Sequence, residues 1–137
     1  MIVQTQTTSF KAEVYQAVHN LLTDTIKIAL YTSTADLNAD TTVYSSANEV
    51  VASGYSPGGS PLTGVALNTS GYTVYVNWAN ISWTASLTAR CALIYNASKG
   101  NKSVAVLDFG ADKTSTTTFL ITMPSNTATT ALIRSSN

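Results

Sequence analysis

The spacing of apolar positions changes once along the chain. Between residues 10 and 22 they recur every three or four residues, which is the period of an amphipathic helix. The hydroxyl groups of Thr7, Thr8 and Ser9 stand just before this stretch and are available as N-caps. From Ile26 onward apolar and polar residues alternate instead, as they do in half-buried strands. The pattern therefore predicts one N-terminal helix followed by β structure.

Short strands account for most of the remaining chain. The alternation predicts them at residues 26–32, 62–67, 72–79, 81–83, 87–95, 104–109, 119–123 and 131–134. The turn residues at 96–101 make the two strands on either side of them a hairpin. Seven or eight short strands with turns about every ten residues indicate a mainly β fold, an antiparallel β-sandwich or jelly roll with one N-terminal amphipathic helix.

Two segments do not follow this pattern. Residues 36–61 are the least regular stretch, and their centre, 54–61 (GYSPGGSP), predicts a long loop because glycine and proline interrupt both helices and strands. Residues 1–8 form a polar arm ahead of the helix. A length of 137 residues is typical of one domain, so we expect the arm at 1–8 and a single β-sandwich domain at 9–137.

The arm and the loop are the segments that we expect to reach a partner. Loops of this length are often functional, and chain ends often become ordered only on binding. The candidate interface residues are Met1, Ile2, Val3 and Gln4 in the arm, and Tyr55, Pro57 and Pro61 in the loop. The alternatives are plain disorder for the arm and, for the loop, contact with its own domain alone.

The composition narrows the classes of function. Charged residues make up 10% of the chain, seven basic side chains balance seven acidic ones, and 22 Thr, 16 Ser and 10 Asn take the place of the missing charge. A surface without a positive field is poorly suited to nucleic acid or an anionic membrane, so we expect neither partner. One cysteine cannot form an internal disulfide. No apolar run approaches the length of a membrane span, and residues 1–8 have no secretion-signal pattern.

Residues suited to catalysis are few. His19 is the one histidine and has no metal-ligand spacing around it, and Cys91 alternates with apolar residues in a predicted strand, as a core side chain would. A glycosidase would need two facing carboxylates, which the sequence does not locate. Asp108 interrupts an apolar run and is a candidate for a buried ion pair with Arg90, the alternative being a solvent-exposed charge. We expect no enzyme activity, no metal and no cofactor.

Aromatic residues leave a sugar-binding function open. Tyr72, Tyr75 and Trp83 lie in or beside predicted strands that are rich in Asn, Ser and Thr, and aromatic rings of this kind stack on sugars. The alternative is ordinary packing of aromatic side chains in the sandwich core, which the alternation of Trp78 with Val76 favours.

Several strings resemble a family of small virion structural proteins of tailed bacteriophages. They are residues 9–11 (SFK) with Glu13, 24–33 (DTIKIALYTS), 48–50 (NEV), 54–55 (GY), 58–59 (GG) with Leu62, 89–96 (ARCALIYN), 105–110 (AVLDFG), 112–113 (DK) and 131–134 (ALIR). Together they extend over most of the chain. They contain no catalytic motif, so the resemblance bears on assembly and is silent on chemistry.

The resemblance implies a head decoration or cement protein, which binds the outer surface of the head shell and stabilises contacts between capsomers. Its partner would be the major capsid protein of the same particle, and the protein itself would be a homotrimer, made in the host cytoplasm and located in the virion. The resemblance supplies no site residues. The alternative function is a virion module, on the tail or the head, that binds host-surface carbohydrate.

Overall fold

The computed structural model describes residues 2–136, and within that range the chain is mainly β. One α-helix, α1, is Thr8–Tyr15. The strands are β1 Val3–Gln6, β2 Ile26–Tyr31, β3 Ser60–Pro61, β4 Ala66–Ser70, β5 Thr73–Asn77, β6 Ile81–Trp83, β7 Thr88–Asn96, β8 Lys102–Thr114, β9 Phe119–Ile121 and β10 Ile133–Ser135.

These strands form three antiparallel sheets. The largest has the order β1-β8-β7-β2-β3, the second is β10-β5-β4, and β6 pairs with β9. Side chains from all three sheets meet in one hydrophobic core, which is the arrangement of a β-sandwich. The predicted fold class is thus confirmed, and so is the hairpin, which is formed by β7 and β8 around a 3-10 turn at Ala97–Lys99.

Both faces of the five-stranded sheet are buried at its centre, in β2 and most of β7. Ile28 and Leu30 of β2 face the main core together with Phe119 of β9. The next side chain along β2, Tyr31, faces the opposite side, where loop residues such as Tyr44 cover it. Because successive residues of a strand point to opposite faces, the long loop supplies the second layer that these side chains need.

The helix is shorter than the predicted 10–22, since it ends at Tyr15. Ala17 has a φ of 59°, and the N–H groups of Ala17 and Val18 donate to carbonyls of the last helical turn. This is a Schellman ending, which stops a helix by turning one residue into the left-handed region. The helix has one buried side chain, Phe10, so its apolar face is narrower than the sequence pattern predicts.

The predicted polar arm contains a strand. Val3–Gln6 pairs with β8 along its whole length, so the expectation of an unpacked arm is wrong for these residues. The side-chain amides of Gln4 and Gln6 also donate to backbone carbonyls of residues 130, 131 and 134 at or next to β10. The polar residues that suggested a free arm are the ones that bridge two sheets.

The long loop joins β2 to β3 and covers residues 32–59. Of the predicted loop at 36–61, Ser60–Pro61 is instead a strand, which pairs with β2. Gly59 has a φ of 74°, and a Cβ atom at this position would lie 1.7 Å from the carbonyl oxygen of Ile28. Only glycine therefore lets the end of the loop approach β2 closely enough to pair.

Candidate interaction surface

A buried carboxylate holds the long loop in place. Glu49 is 8% exposed and accepts hydrogen bonds from the hydroxyls of Tyr44 and Tyr55, each at 2.6 Å, and from the N–H of Gly58 at 2.8 Å. The Tyr55 hydroxyl accepts in turn from the N–H of Leu30 in β2 at 2.8 Å. Burial, together with the hydrogen bond to Glu49, raises the pKa of Tyr44 and of Tyr55. The hydroxyls therefore stay protonated and stabilise the charge of Glu49.

This cluster corrects one of the predicted interface residues. Tyr55 is 6% exposed, and its ring packs against Trp83 at 5.8 Å between centroids, so it cannot contact a partner. The Tyr55 hydroxyl is buried because it donates to the carboxylate of Glu49, and burying a carboxylate without hydrogen-bond donors costs free energy. Pro57 and Pro61 are exposed and remain available. Sequence reasoning missed Glu49, whose one signal is a charge directly before the short apolar piece 50–52.

A second polar network surrounds His19, which lies after the helix. Its Nε2 donates to Glu13 Oε1 at 2.9 Å, and its Nδ1 accepts from the side-chain amide of Asn96 at 3.0 Å. The same amide donates to Asp24 Oδ2 at 2.8 Å, while the Asn96 carbonyl accepts from the N–H of Ser98. The hydrogen bond from Asn96 lowers the pKa of Asp24, and the N–H of Asn20 adds to this effect.

The His19 network is structural in character. The His19 side chain is fully buried, and each ring nitrogen already has a partner, so neither is free to take a proton from a substrate. Asn96, which is completely buried, connects this segment to the hairpin. The sequence presents Asn96 as a turn residue only, and nothing in its spacing points to this central position.

Cys91 and Asp108 lie in different environments. Cys91 is buried, and burial, with a contribution from the charge of Asp108, raises the pKa of the thiol to about 11. Asp108 does meet Arg90, at 3.4 Å between Nε and Oδ1, but their side chains are 53% and 38% exposed. The predicted buried ion pair is therefore a surface pair, because Asp108 points to the solvent side of β8. The N–H of Gly110, followed by Arg90, lowers the pKa of Asp108.

The remaining arm candidates lie at a small surface cavity. Ile2, Val3 and Gln4 line a depression of about 500 Å³ together with Pro124 and neighbouring residues. Val3 is 57% exposed there, whereas Ile2 packs partly against the core. Met1 lies outside the described residues.

The aromatic candidates for sugar stacking are in different environments. Trp83 is 5% exposed and belongs to the core, so it cannot stack on a ligand. Tyr75 is half-buried in β5. Tyr72 is 96% exposed at the turn between β4 and β5. Of the three, Tyr72 is the ring that is open to solvent.

An apolar groove that sequence reasoning did not find lies on another part of the surface. It has a volume of about 770 Å³ and lies between α1, with the residues that follow it, and one face of the β10-β5-β4 sheet. Register places Leu67, Val76 and Ile133 in one row across the three strands. Of the ten large hydrophobic side chains exposed in the described chain, five line this groove: Val14, Tyr15, Leu22, Leu67 and Val74.

Among residues 2–136, no three His, Cys, Asp or Glu side chains come close enough together to hold a metal ion. No helix in the same range has the length and apolar character needed to cross a membrane. Comparison of the chain with family models, with curated proteins and with solved structures returned no match.

Proposed function

We propose that this chain is a head decoration or cement protein of a tailed bacteriophage, which binds the outer surface of the head shell. The observation that supports a binding role best is the groove, which is lined by half of the large exposed hydrophobic side chains of residues 2–136. Contiguous apolar patches of this kind are typical of interaction sites. The family resemblance supplies the particular partner, the major capsid protein of the same particle.

The side chains of His19, Cys91 and Glu49 are committed to the fold, which supports assembly over catalysis. Both ring nitrogens of His19 are occupied, the Cys91 thiol is buried with a raised pKa, and Glu49 is enclosed by tyrosine hydroxyls. In the proposed role the protein acts mechanically, because bridging neighbouring capsomers adds buried area to joints that are under load. We propose a homotrimer, made in the host cytoplasm and located in the virion.

Reconstitution tests this function. Purified protein is added to expanded empty shells that lack it, and bound copies are counted while the temperature of shell disruption is measured. We expect saturable binding of hundreds of copies per particle and a higher disruption temperature. Shells that bind only a handful of copies, or that withstand heat equally well without the protein, would refute the proposal.

A second candidate function, binding of host-surface carbohydrate, rests on the exposed ring of Tyr72. An exposed aromatic ring on the turn between β4 and β5 can stack on a sugar, although the buried Trp83 cannot assist it. Binding of wild-type protein to a glycan array, abolished in Tyr72→Ala without loss of folding, would favour this function. A blank array would eliminate it.

A further inference from the structure

The groove lies beside an unpaired strand edge. β4 is the outer strand of its sheet and pairs with β5 along one side. None of the backbone hydrogen bonds found within residues 2–136 reaches the other side of β4. Free edges are usually protected by charged residues, prolines or bulges. β4 reads ALNTS and has none of these, so its backbone donors and acceptors are open to another strand.

The side chains next to this edge match the requirements of an added strand. Leu67 of β4 is 50% exposed and Val74 of β5 is 40% exposed, and both line the groove. By register, Val74 lies opposite Thr69, two residues along β4 from Leu67, so the two apolar side chains share one face of the sheet. A strand added to β4 would place every second side chain over this face, where apolar residues are favoured.

The charged side chains that line the groove are basic, and none is acidic. Lys11 of α1 lines it and takes part in none of the ion pairs found among residues 2–136. None of the seven acidic residues of the chain is among those lining the groove. An occupant that carries a carboxylate would therefore meet a complementary charge, while one with a lysine or arginine would be repelled.

We propose that the groove and the free edge of β4 bind an extended segment of the shell protein, which adds to β4 as a further strand. Its alternating apolar side chains pack on Leu67 and Val74, and a carboxylate pairs with Lys11. Backbone hydrogen bonds to β4 supply affinity, and the side chains select the segment. This assignment rests on the proposed function, because it names the shell as the source of the strand.

The test compares variants of the full chain in co-sedimentation with expanded empty shells. Leu67→Lys places a charge at the edge and in the groove, and Leu120→Lys is its matched control, since Leu120 is 44% exposed on β9 and does not line the groove. Lys11→Glu reverses the charge at position 11 and leaves Arg134 as the remaining positive side chain that lines the groove, whereas Lys11→Arg preserves the charge. We expect Leu67→Lys and Lys11→Glu to weaken binding about tenfold or more, and both controls to stay within about twofold of wild type.

A second measurement follows strand addition directly. Hydrogen exchange of the amides in Ala66–Ser70 should slow on binding to shells, whereas a contact made through side chains alone would leave it unchanged. Thermal unfolding of each free variant checks folding. If Leu67→Lys does not fold, the comparison of Lys11→Glu with Lys11→Arg and the exchange measurement decide the matter.

The outcomes separate the two proposals. If wild-type protein does not bind shells, the proposed function fails and the assignment of the groove fails with it. If wild-type protein binds and Leu67→Lys and Lys11→Glu bind as well as their controls, the function stands and the groove assignment is wrong. If the free protein self-associates and Leu67→Lys abolishes this, the groove binds a second copy of the chain, which also overturns the assignment.

Discussion

Glu49 Oε2 accepts a hydrogen bond from the Tyr55 hydroxyl at 2.6 Å, and the same hydroxyl accepts from the backbone N–H of Leu30. The pair thus joins the long loop to β2 through one oxygen atom. Because the contact is buried, each partner depends on the other for its hydrogen bonds. This relationship explains why a loop of this length is ordered against its own sheet.

Removing the Tyr55 hydroxyl should destabilise the protein. Tyr55→Phe takes one donor from a buried carboxylate and leaves the N–H of Leu30 without an acceptor, which should lower the free energy of unfolding by about 2–4 kcal/mol. Urea unfolding followed by fluorescence measures the change. Tyr72→Phe is the control, because that ring is 96% exposed, and it should change stability by less than about 0.5 kcal/mol. Equal effects of the two variants would show that the Glu49 contact contributes nothing.

Stability should fall in alkaline solution. Burial and the charge of Glu49 raise the pKa of Tyr31 far above the value of about 10 in unfolded chains. Above pH 10 the unfolded state therefore releases a proton that the folded state keeps, so stability is complete below pH 10 and declines as the pH rises further. Each such tyrosine should contribute about 1.4 kcal/mol per pH unit to this decline.

The variant Tyr31→Phe tests this contribution. Unfolding free energies of wild type and variant are measured at several pH values from 8 to 11.5. Loss of the hydrogen bond to the Ser45 carbonyl should lower stability at pH 8, while the decline above pH 10 should become shallower by the share of one tyrosine, so that the two curves converge as the pH rises. Parallel curves for the two proteins would contradict the prediction.

The helix ending contains a strained alanine. Ala17, at φ 59°, occupies the left-handed position that glycine usually takes in a Schellman ending. Ala17→Gly should therefore raise the free energy of unfolding by about 0.5–1 kcal/mol, since relief of the Cβ clash exceeds the entropic cost of glycine. Ala12→Gly, within α1, should lower it by about 1 kcal/mol. Destabilisation by both substitutions would refute the assigned ending.

Asp24 should contribute to stability in a way that depends on acid pH. The side-chain amide of Asn96 and the N–H of Asn20 lower its pKa. The contribution is therefore present above the unfolded value, near 3.9, and is lost as the pH falls through the lower, folded value. In Asp24→Asn this part of the pH dependence should disappear, which thermal unfolding between pH 2 and 7 will show. An unchanged difference between variant and wild type over the whole range would contradict the prediction.

Patterns along the chain were sufficient for the class of fold. Residues 26–28 and 88–91 alternate between apolar and polar, and a short apolar run follows each of them, which favours strands that are buried on both faces. The turn at residues 96–101 made the β7–β8 hairpin predictable, and Thr7 was among the predicted N-caps and does accept from the N–H of Phe10. These features depend on contacts between near neighbours, so they can be read from the sequence.

Local signals failed where distant residues decide the outcome. Nothing at Ala17 marks the end of the helix, since alanine is the strongest helix former. The long-range contact nearby is that of His19 with Asn96, 77 positions away, which no local pattern predicts. The sequence of residues 3–6 predicts a free polar arm, and only the tertiary structure shows that these residues pair with β8. Tyr55 lies among glycines and prolines in the sequence, which predicts an exposed side chain. Its hydroxyl is nevertheless buried, because it is hydrogen-bonded to Glu49 and to the N–H of Leu30.

The sequence by itself therefore determined the fold class and the small number of His, Cys and charged residues, because periodicity and composition are properties of the chain alone. Only the tertiary structure decided which polar residues are buried and where the apolar surface is collected. The groove combines residues of α1 with residues of β4, β5 and β10, which are separated by more than a hundred positions at the extremes. Their proximity is set by sheet order and register, and no local pattern encodes either of these.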